Sequence, residues 1–373
     1  MKKIIFIVLL IILTIPLLTQ TRNPDKPLRG KWNFQMTKIW EIETAGNDVI
    51  AEVQNIRSAK DGRIYIVDSK NYKIYIFSKE GKFISSFGKR GEGPGEIKNY
   101  HSGDQLFVLN NTLIFADRAR IHYFSLDGTF TKSVIIPARL KPRSFVSQDI
   151  FISAPATVAD PRNKKAKINL YNITNQSETI ISEFQPFEKA TDSQEGSGGR
   201  RITIGIVIGN VTPLMFVKYR NGKIYYGKSD AYKIYVVDLK GKEITSFYMD
   251  GRKQKKVSKA YKKELANGLG DIPQDMLENI LNGLPKNASF FQEIEIDKNG
   301  LIDVFVSDPD SKNLQAIDIF SPAGKYLYSS EIKVNEGNTI QNIYLKDDLL
   351  VIAADDEEGN LKVTKYSINL PVL

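Results

Sequence analysis

Residues 61–87 read DGRIYIVDSKNYKIYIFSKEGKFISSF, and residues 221–247 read NGKIYYGKSDAYKIYVVDLKGKEITSF. Aligned without a gap, at an offset of 160 residues, the two segments are identical at 13 of 27 positions, so one pattern is used twice. Each copy holds three β-rich stretches, and a tight glycine turn, Glu80-Gly81 or Lys240-Gly241, separates the second from the third. Short strands joined by Gly, Asn and Asp turns are typical of an antiparallel β-meander.

Weaker copies of this pattern fill the rest of the chain, starting near residues 110, 149, 299 and 347. Each copy is preceded by one further β-rich stretch, such as residues 53–58, and so supplies a four-stranded sheet. Such a sheet cannot bury both of its faces alone, so neighbouring copies must stack. Radial stacking of four-stranded sheets produces a β-propeller. The six copies therefore predict an all-β, six-bladed β-propeller that spans residues 31–373.

The two ends of the chain predict how the ring closes. The last copy stops after its third strand, at Leu370-Pro371, and lacks an outer strand. Residues 32–43, WNFQMTKIWEIE, are β-rich and belong to no other copy. We expect this segment to complete blade six and to join the two termini.

Two insertions interrupt the period. Residues 185–211 contain GSGG and Arg200-Arg201, and predict a long loop with an extra hairpin at residues 202–208. Residues 253–284 carry apolar side chains at helical spacing and predict two helices, with Pro273 in the first turn of the second. We expect the apolar stripe of these helices to pack against the propeller, with docking to a partner or membrane as the alternative.

The N-terminus has the pattern of an export signal. Lys2 and Lys3 precede an unbroken apolar run at residues 4–13, which continues to Leu18 with few polar interruptions. At about 1.5 Å per residue this run reaches only ~22 Å, short of the ~30 Å hydrocarbon core. Residues 1–21 are therefore predicted to be a signal peptide or an N-terminal membrane anchor, and the protein to be periplasmic or extracellular. Thr19, Gln20 and Thr21 do not form a small-x-small cleavage site, so an uncleaved membrane anchor remains the alternative to a cleaved signal peptide.

The composition excludes several classes of site. The 373 residues include no cysteine, which rules out disulfides, thiolate metal sites and cysteine nucleophiles. The only histidines are His101 and His122, and the default for His122, inside a predicted strand, is packing. The formal net charge is +9, with a basic run at residues 252–263. A solvated surface is the simplest interpretation, with a lipid headgroup, an anionic polymer or an acidic protein as alternatives, and nucleic acid is not expected.

Residues 50–99 carry a family resemblance. The run DGRIYIVDSKNYKIYIFSKEGKFISSFG followed by KRGEGPGEI resembles the NHL repeats and related six-bladed propellers of exported bacterial proteins. The resemblance implies a ring with a central channel and a binding face made of loops. Because members of this family include protein-binding, RNA-binding, carbohydrate-associated and enzymatic proteins, it does not name a ligand.

The predicted binding face collects the loops between second and third strands and the connections between blades. Arg supplies planar donors and Tyr an amphipathic ring, which suits acidic protein loops or glycans. We therefore expect a non-catalytic binding or scaffold module for a protein or glycan of the cell envelope, with membrane contact through the N-terminal segment or a peripheral surface. The predicted binding residues are Tyr72, Arg90, Arg118, Arg120, Arg200, Arg201 and Tyr232, with Lys70, Asn71 and Asp230 beside them.

The alternative function is a calcium-dependent hydrolase or lyase at the central channel. Calcium takes about six to eight oxygen ligands, and oxygen-bearing side chains lie on or near the predicted inner strands. No other cofactor is expected, and the Gly-rich stretch at residues 88–95 predicts a connection between blades and not a nucleotide loop. The calcium candidates are Asn55, Asp149, Glu293, Glu295 and Asn342.

Overall fold

The computed structural model describes residues 19–100, 106–117, 119–155, 165–184, 211–270 and 272–371. Its strands form six sheets of at least four strands and one short hairpin. The predicted six-bladed β-propeller is confirmed. Before the first blade the chain forms β1 (Thr19–Asn23), β2 (Lys31–Trp32), β3 (Met36–Ile42), β4 (Thr44–Ala45) and β5 (Asp48–Val49).

The first three blades follow in order, each an antiparallel meander. Blade one contains β6 (Val53–Ser58), β7 (Ile64–Asp68), β8 (Lys73–Phe77) and β9 (Phe83–Phe87). Blade two contains β10 (Leu106–Leu109), β11 (Thr112–Asp117), β12 (Arg120–Ser125) and β13 (Phe130–Ile135). Blade three contains β14 (Pro142–Ser147), β15 (Ile150–Ser153), β16 (Ala166–Asn172) and β17 (Ser177–Phe184).

The other three blades hold the helical insertion between them. Blade four contains β18 (Met215–Arg220), β19 (Lys223–Lys228), β20 (Lys233–Asp238) and β21 (Glu243–Met249), and is followed by α1 (Lys259–Gly268) and α2 (Gln274–Asn282). Blade five contains β22 (Phe291–Ile296), β23 (Ile302–Val306), β24 (Leu314–Phe320) and β25 (Tyr326–Lys333). Blade six contains β26 (Thr339–Lys346), β27 (Leu349–Asp355), β28 (Leu361–Ile368) and β3.

The core lies between adjacent blades, and strand β7 shows why. Its side chains alternate between the two faces of the sheet. Ile64 and Ile66 pack into the cluster shared with blade six, whereas Tyr65 and Val67 pack into the cluster shared with blade two. All four are fully buried, so the strand is apolar from Ile64 to Val67. Each blade is thus stable only between its neighbours, which is why the repeats must close into a ring.

The repeated glycine of the last turn in a blade has a packing role. Gly128 and Gly324 have φ values of +86° and +77°, in the left-handed region. A Cβ atom added at Gly128 would lie 2.6 Å from Phe87 Cδ1, and one at Gly324 would lie 2.6 Å from Phe247 Cδ1. Each of these phenylalanines belongs to the outer strand of the preceding blade. The glycine and the phenylalanine of the repeat therefore join one blade to the next.

Ring closure occurs in blade six, as predicted. β28 pairs antiparallel with β3, with Val363 opposite Ile42 and Ile368 opposite Met36. The closing strand is shorter than expected, because it begins at Met36 and not at Trp32. Trp32 instead lies opposite Ser330, where β2 pairs with β25 on the outer edge of blade five.

The residues before β3 form an N-terminal strap, residues 19–32, along the outer edges of two blades. β1 pairs parallel with β21, and β2 pairs parallel with β25, so blades four and five each gain a fifth strand. Asn23, the last residue of β1, is buried and bonds to blade five. Its Nδ2 donates to Gly324 O at 2.8 Å, and its Oδ1 accepts from Tyr326 N at 2.8 Å. Contact with the ring therefore starts at Thr19, before residue 31.

The ring has two ends. The tight turns between first and second strands and between third and fourth strands define the turn end. The other connections define the loop end, where the loop of one blade meets the start of another strand: Ser69 N donates to Glu52 O at 3.0 Å, and Phe290 N donates to Ser229 O at 2.7 Å. This common placement of the loops agrees with the prediction.

The helical insertion lies at the loop end, and its two helices are those predicted. No residue of either helix is buried or belongs to a core cluster of the described residues, so the expected packing of the apolar stripe into the propeller core is not seen there. Lys255 Nζ lies 3.5 Å from Asp308, and Lys312 Nζ lies 2.8 Å from Glu264, which ties the insertion to blade five. Within the described residues, no helix is long and apolar enough to span a membrane. The predicted hairpin at residues 202–208 lies outside them.

Candidate functional site

Two of the predicted binding residues, Tyr72 and Arg90, meet at the loop end of blade one. Arg90 Nη1 donates to the Tyr72 hydroxyl at 3.1 Å, and the guanidinium carbon lies 4.8 Å from the centre of the Tyr72 ring. Tyr72 has a φ of +53°, which places it at the turn between β7 and β8. Arg90 is exposed and Tyr72 half-buried, so the pair presents a cation on an aromatic face to solvent.

Their predicted neighbours have mixed roles. Arg120 Nη1 lies 3.4 Å from Glu92 O in the connection between blades one and two, so it belongs to the same rim. The amides of Lys70 and Asn71 both donate to Asp68 Oδ1, at 3.1 and 2.9 Å, and shape the loop. Asp230, over blade four, forms an ion pair of 3.1 Å with Lys228. Arg118, Arg200 and Arg201 lie outside the described residues.

Tyr232 occupies the same position in its repeat as Tyr72 but is buried, with 4% of its surface exposed. Its hydroxyl donates to Asp318 Oδ2 at 2.6 Å, and the Arg252 guanidinium, 2.9 Å from the same carboxylate, lies over its ring. Burial, followed by the Asp318 charge, raises the pKa of Tyr232 well above its usual value. The structure therefore places Tyr232 between blades four and five, where its hydroxyl supports packing.

A cavity with both polar and apolar lining occupies the central channel on the side of blades four to six. Its volume is about 240 Å³, and the inner strands of five blades line it. Both signs of charge are present, because Arg57, Arg143 and Lys218 face the same space as Glu293 and Glu295. The charges nearly balance, so the channel does not select strongly for polyanions or polycations.

Lys218 bridges the two carboxylates of the channel. Its Nζ lies 2.7 Å from Glu295 Oε1 and 3.4 Å from Glu293 Oε1. The three side chains are between 15% and 27% exposed, so they are partly shielded from solvent but still in contact with it. The ammonium group occupies the position between the carboxylates that a metal cation would take.

The predicted calcium ligands are only partly brought together. Asn55 and Asn342 line the same cavity as Glu293 and Glu295. Asp149 lies in the turn between β14 and β15, where its carbonyl accepts from Ile173 N at 2.8 Å. In the part of the chain that the structure describes, no three Asp, Glu or His side chains are grouped to hold a metal ion. Calcium binding stays a prediction.

A cleft between blades five and six continues the channel cavity. It measures about 260 Å³ and shares Glu293, Phe305, Asn342 and Ile343 with the channel. Its outer wall includes the loop between β23 and β24, so it opens at the loop end. Its polar lining combines amide side chains (Gln292, Gln315, Gln341 and Asn342) with charged ones (Glu293, Asp308 and Lys312).

The inner strands explain why these side chains meet. Alternation along FQEIEI turns Ile294 and Ile296 toward blade four and leaves Glu293 and Glu295 to the channel. The same alternation in β18, MFVKYR, brings Lys218 into the channel and was the signal that the sequence reasoning missed.

His122 lies apart from these sites, inside blade two, and is 1% exposed. Its Nδ1 lies 2.8 Å from Ser133 Oγ, and its Nε2 lies 3.9 Å from Asp117 Oδ2. Burial lowers the pKa of His122, and the Asp117 charge opposes that shift only in part. The neutral ring stacks on Phe124, with the centroids 6.3 Å apart.

Comparison with known proteins finds solved structures with a similar fold. The chain resembles a predicted exported protein of Bacteroides fragilis, with 15% identity, a TM-score of 0.55, and coverage of 94% of this chain and 100% of that one. It also resembles a member of the DUF4221 family from Bacteroides vulgatus, with 10% identity, a TM-score of 0.55, and coverage of 91% and 99%. Identities this low show the fold alone. No curated protein matches the chain. Residues 34–279 match the family DUF5128, described as a 6-bladed beta-propeller, and the chain therefore belongs to that family.

Proposed function

We propose that this protein is an exported, non-catalytic binding module that takes a short glycan of the cell envelope into the cleft between blades five and six. The export signal in the sequence supports a location outside the cytoplasm. The resemblance of the repeats to NHL repeats supports a binding role at the loop end. The cleft opens at that end. With the channel cavity it reaches the size of small-molecule sites, which run from about 300 to 1,000 Å³.

The observation that carries the proposal is the chemistry of the walls. Amide side chains can both donate and accept hydrogen bonds, as sugar hydroxyl groups require. The amide nitrogen of each already donates within the protein, Asn342 Nδ2 to Gln54 O at 3.1 Å among them, so a ligand would be held chiefly by the amide oxygens. Phe305 lines both cavities but is only 3% exposed, so it contributes no more than a ring edge to the wall. Because Lys218 neutralises much of the Glu293 and Glu295 charge, an uncharged or weakly charged ligand suits the site better than an acidic polymer.

A protein partner would fit this cleft less well. Protein interfaces depend on large aromatic and Arg anchors near the centre of a broad surface. The Tyr72–Arg90 pair has that character, but it lies over blade one, away from the cleft. We therefore assign it a secondary role, as a rim contact for a longer glycan or for the protein that carries the glycan.

The test is a binding measurement with a panel of short neutral and amino-sugar oligosaccharides, followed by calorimetry on those that bind. Asn342→Ala should weaken binding about tenfold, which corresponds to one hydrogen bond of about 1.4 kcal/mol. Asn111→Ala, an exposed amide at the turn end, is the matched control and should have no effect. Loss of binding in Arg90→Ala with full binding in Asn342→Ala would move the site to the rim and contradict the proposal.

A further inference from the structure

The N-terminal strap determines which end of the ring lies near the apolar run at residues 4–18. β1 runs parallel to β21, with Thr19 opposite Thr245 and Asn23 opposite Met249. β21 begins at the turn after Gly241 and ends where the helical insertion begins, so it runs from the turn end toward the loop end. Thr19 therefore lies toward the turn end, opposite the mouth of the cleft.

No linker residues separate the apolar run from the strap in the sequence. Leu18 is the last residue of the run, and Thr19 is already paired with blade four. Thr21 Oγ1 donates to Ala323 O at 3.0 Å, and Arg22 forms an ion pair with Asp250. Met249, at the far end of β21, lies about 14 Å further along at ~3.4 Å per residue, and a single residue spans at most ~3.6 Å. The end of β1 that follows the apolar run therefore lies closer to the turn end of blade four than to its loop end.

The turn end beside β1 carries exposed positive charge. Lys240 and Lys242 flank the last turn of blade four, and Lys325 follows the last turn of blade five. All three are exposed, and across the described ranges none of them forms an ion pair. Ile244, 41% exposed, adds an apolar side chain between them and β1. Exposed lysines beside an apolar segment suit an anionic lipid surface, where each contributes about fivefold in affinity.

The predicted signal peptide, residues 1–21, overlaps strand β1. Removal of residues 1–21 would take three of the five residues of β1, Thr19, Gln20 and Thr21, and expose the edge of β21. β1 is the fifth strand of blade four, so its loss would remove its hydrogen bonds to β21 and leave that edge unpaired. This favours a chain that keeps its N-terminal segment.

We propose that the chain is held in the membrane by its N-terminal segment, with the turn end of blades four and five resting on anionic lipid through Lys240, Lys242 and Lys325. The cleft and the basic helical insertion then point away from the bilayer. This arrangement does not depend on the ligand of the cleft. It is the opposite of one in which the basic insertion lies on the membrane.

The absence of cysteine makes the test direct. The full chain is reconstituted in vesicles that contain phosphatidylglycerol, with a fluorophore on Lys242→Cys at the turn end or on Lys263→Cys in α1 at the loop end. A quencher on the lipid headgroups should quench the probe at position 242 several-fold more than the probe at position 263. Equal quenching, or stronger quenching at position 263, would overturn the orientation.

Two further measurements test charge and retention. In the Lys242→Cys background, Lys240→Gln with Lys325→Gln should weaken the quenching, and vesicles of phosphatidylcholine alone should do the same. If the quenching changes neither in the lysine variant nor in the phosphatidylcholine vesicles, the role of the lysines is refuted. Sequencing of the protein isolated from cells should find residues 1–18, and a mature chain that starts at residue 22 would refute the anchor.

Discussion

Replacement of Lys218 by Met tests the reasoning about the channel. Methionine keeps most of the aliphatic stem but removes the ammonium group, so Glu293 and Glu295 lose the cation between them. At contacts of 2.7 and 3.4 Å and an effective dielectric constant of about 20, each ion pair has a Coulomb energy of roughly 5–6 kcal/mol before desolvation. Exposed pairs contribute about 0.2–1 kcal/mol net, and breaking a fully buried pair costs about 3–5 kcal/mol. Side chains that are 15–27% exposed lie between these limits, so we expect a loss of about 2 kcal/mol.

Thermal unfolding gives the measurement. An unfolding entropy of about 2.1 cal/mol/K per residue over roughly 350 residues converts ~2 kcal/mol into a fall of about 3 °C in Tm. Lys298→Met is the matched control, because its pair with Asp348 is at least half exposed and should change Tm by less than about 1 °C. Equal effects of the two substitutions would refute the argument that the channel pair is shielded.

The same variant tests the calcium alternative. With the ammonium group gone, the two carboxylates can attract a divalent cation, and calcium should raise the Tm of Lys218→Met by binding only the native state. The wild-type protein should respond much less. A calcium response of equal size in the wild type would show that Lys218 does not hold the cation position, and would support a calcium-dependent hydrolase or lyase.

Three other predictions concern stability. Gly324→Ala should cost about 2–4 kcal/mol because of its positive φ and the aromatic ring beneath it, whereas Gly222→Ala, with a positive φ but open space, should cost only about 1 kcal/mol; equal losses in urea unfolding would contradict the packing role. Tyr232→Phe should cost about 1–2 kcal/mol by leaving a buried carboxylate short of one donor, and an unchanged Tm would place that hydroxyl in solvent. The lowered pKa of His122 means that the unfolded chain binds this proton more readily, so its contribution to stability is present above the ordinary pKa of about 6.5 and is lost as the pH falls toward the folded value. His122→Gln should flatten the stability profile between about pH 7 and pH 5, and identical slopes in the two proteins would refute this.

The repeated segments allowed the fold to be predicted almost completely. The number of blades, the turn glycines and the closure by an N-terminal strand all depend on patterns within short stretches of chain. Even so, the closing strand begins at Met36, because Trp32 pairs with the outer edge of blade five. The parallel pairing of the strap has no local signal, since the outer edge of any blade could accept such a strand.

The candidate site was predicted less well. Tyr72 and Tyr232 occupy equivalent repeat positions, yet Tyr72 is half-buried beside Arg90 and Tyr232 is buried against Asp318. The difference comes from the partner that the neighbouring blade and the insertion bring to each tyrosine. Arg252 is 20 residues from Tyr232 in the sequence and lies near it because β21 returns along β20, where Met249 N donates to Tyr232 O at 3.1 Å.

The sequence by itself therefore determined the architecture, because alternation of apolar residues and the chemistry of tight turns act over a few neighbouring residues and repeat with the blade. Only the tertiary structure decided which side chains line the channel and the cleft, and which blades pair with the N-terminal strap. The contacts between Lys218 and the glutamates of blade five, the cleft between blades five and six, and the register of β1 on β21 all join residues that are far apart in the chain. No pattern within one repeat encodes such contacts, since they arise from how the blades pack against one another.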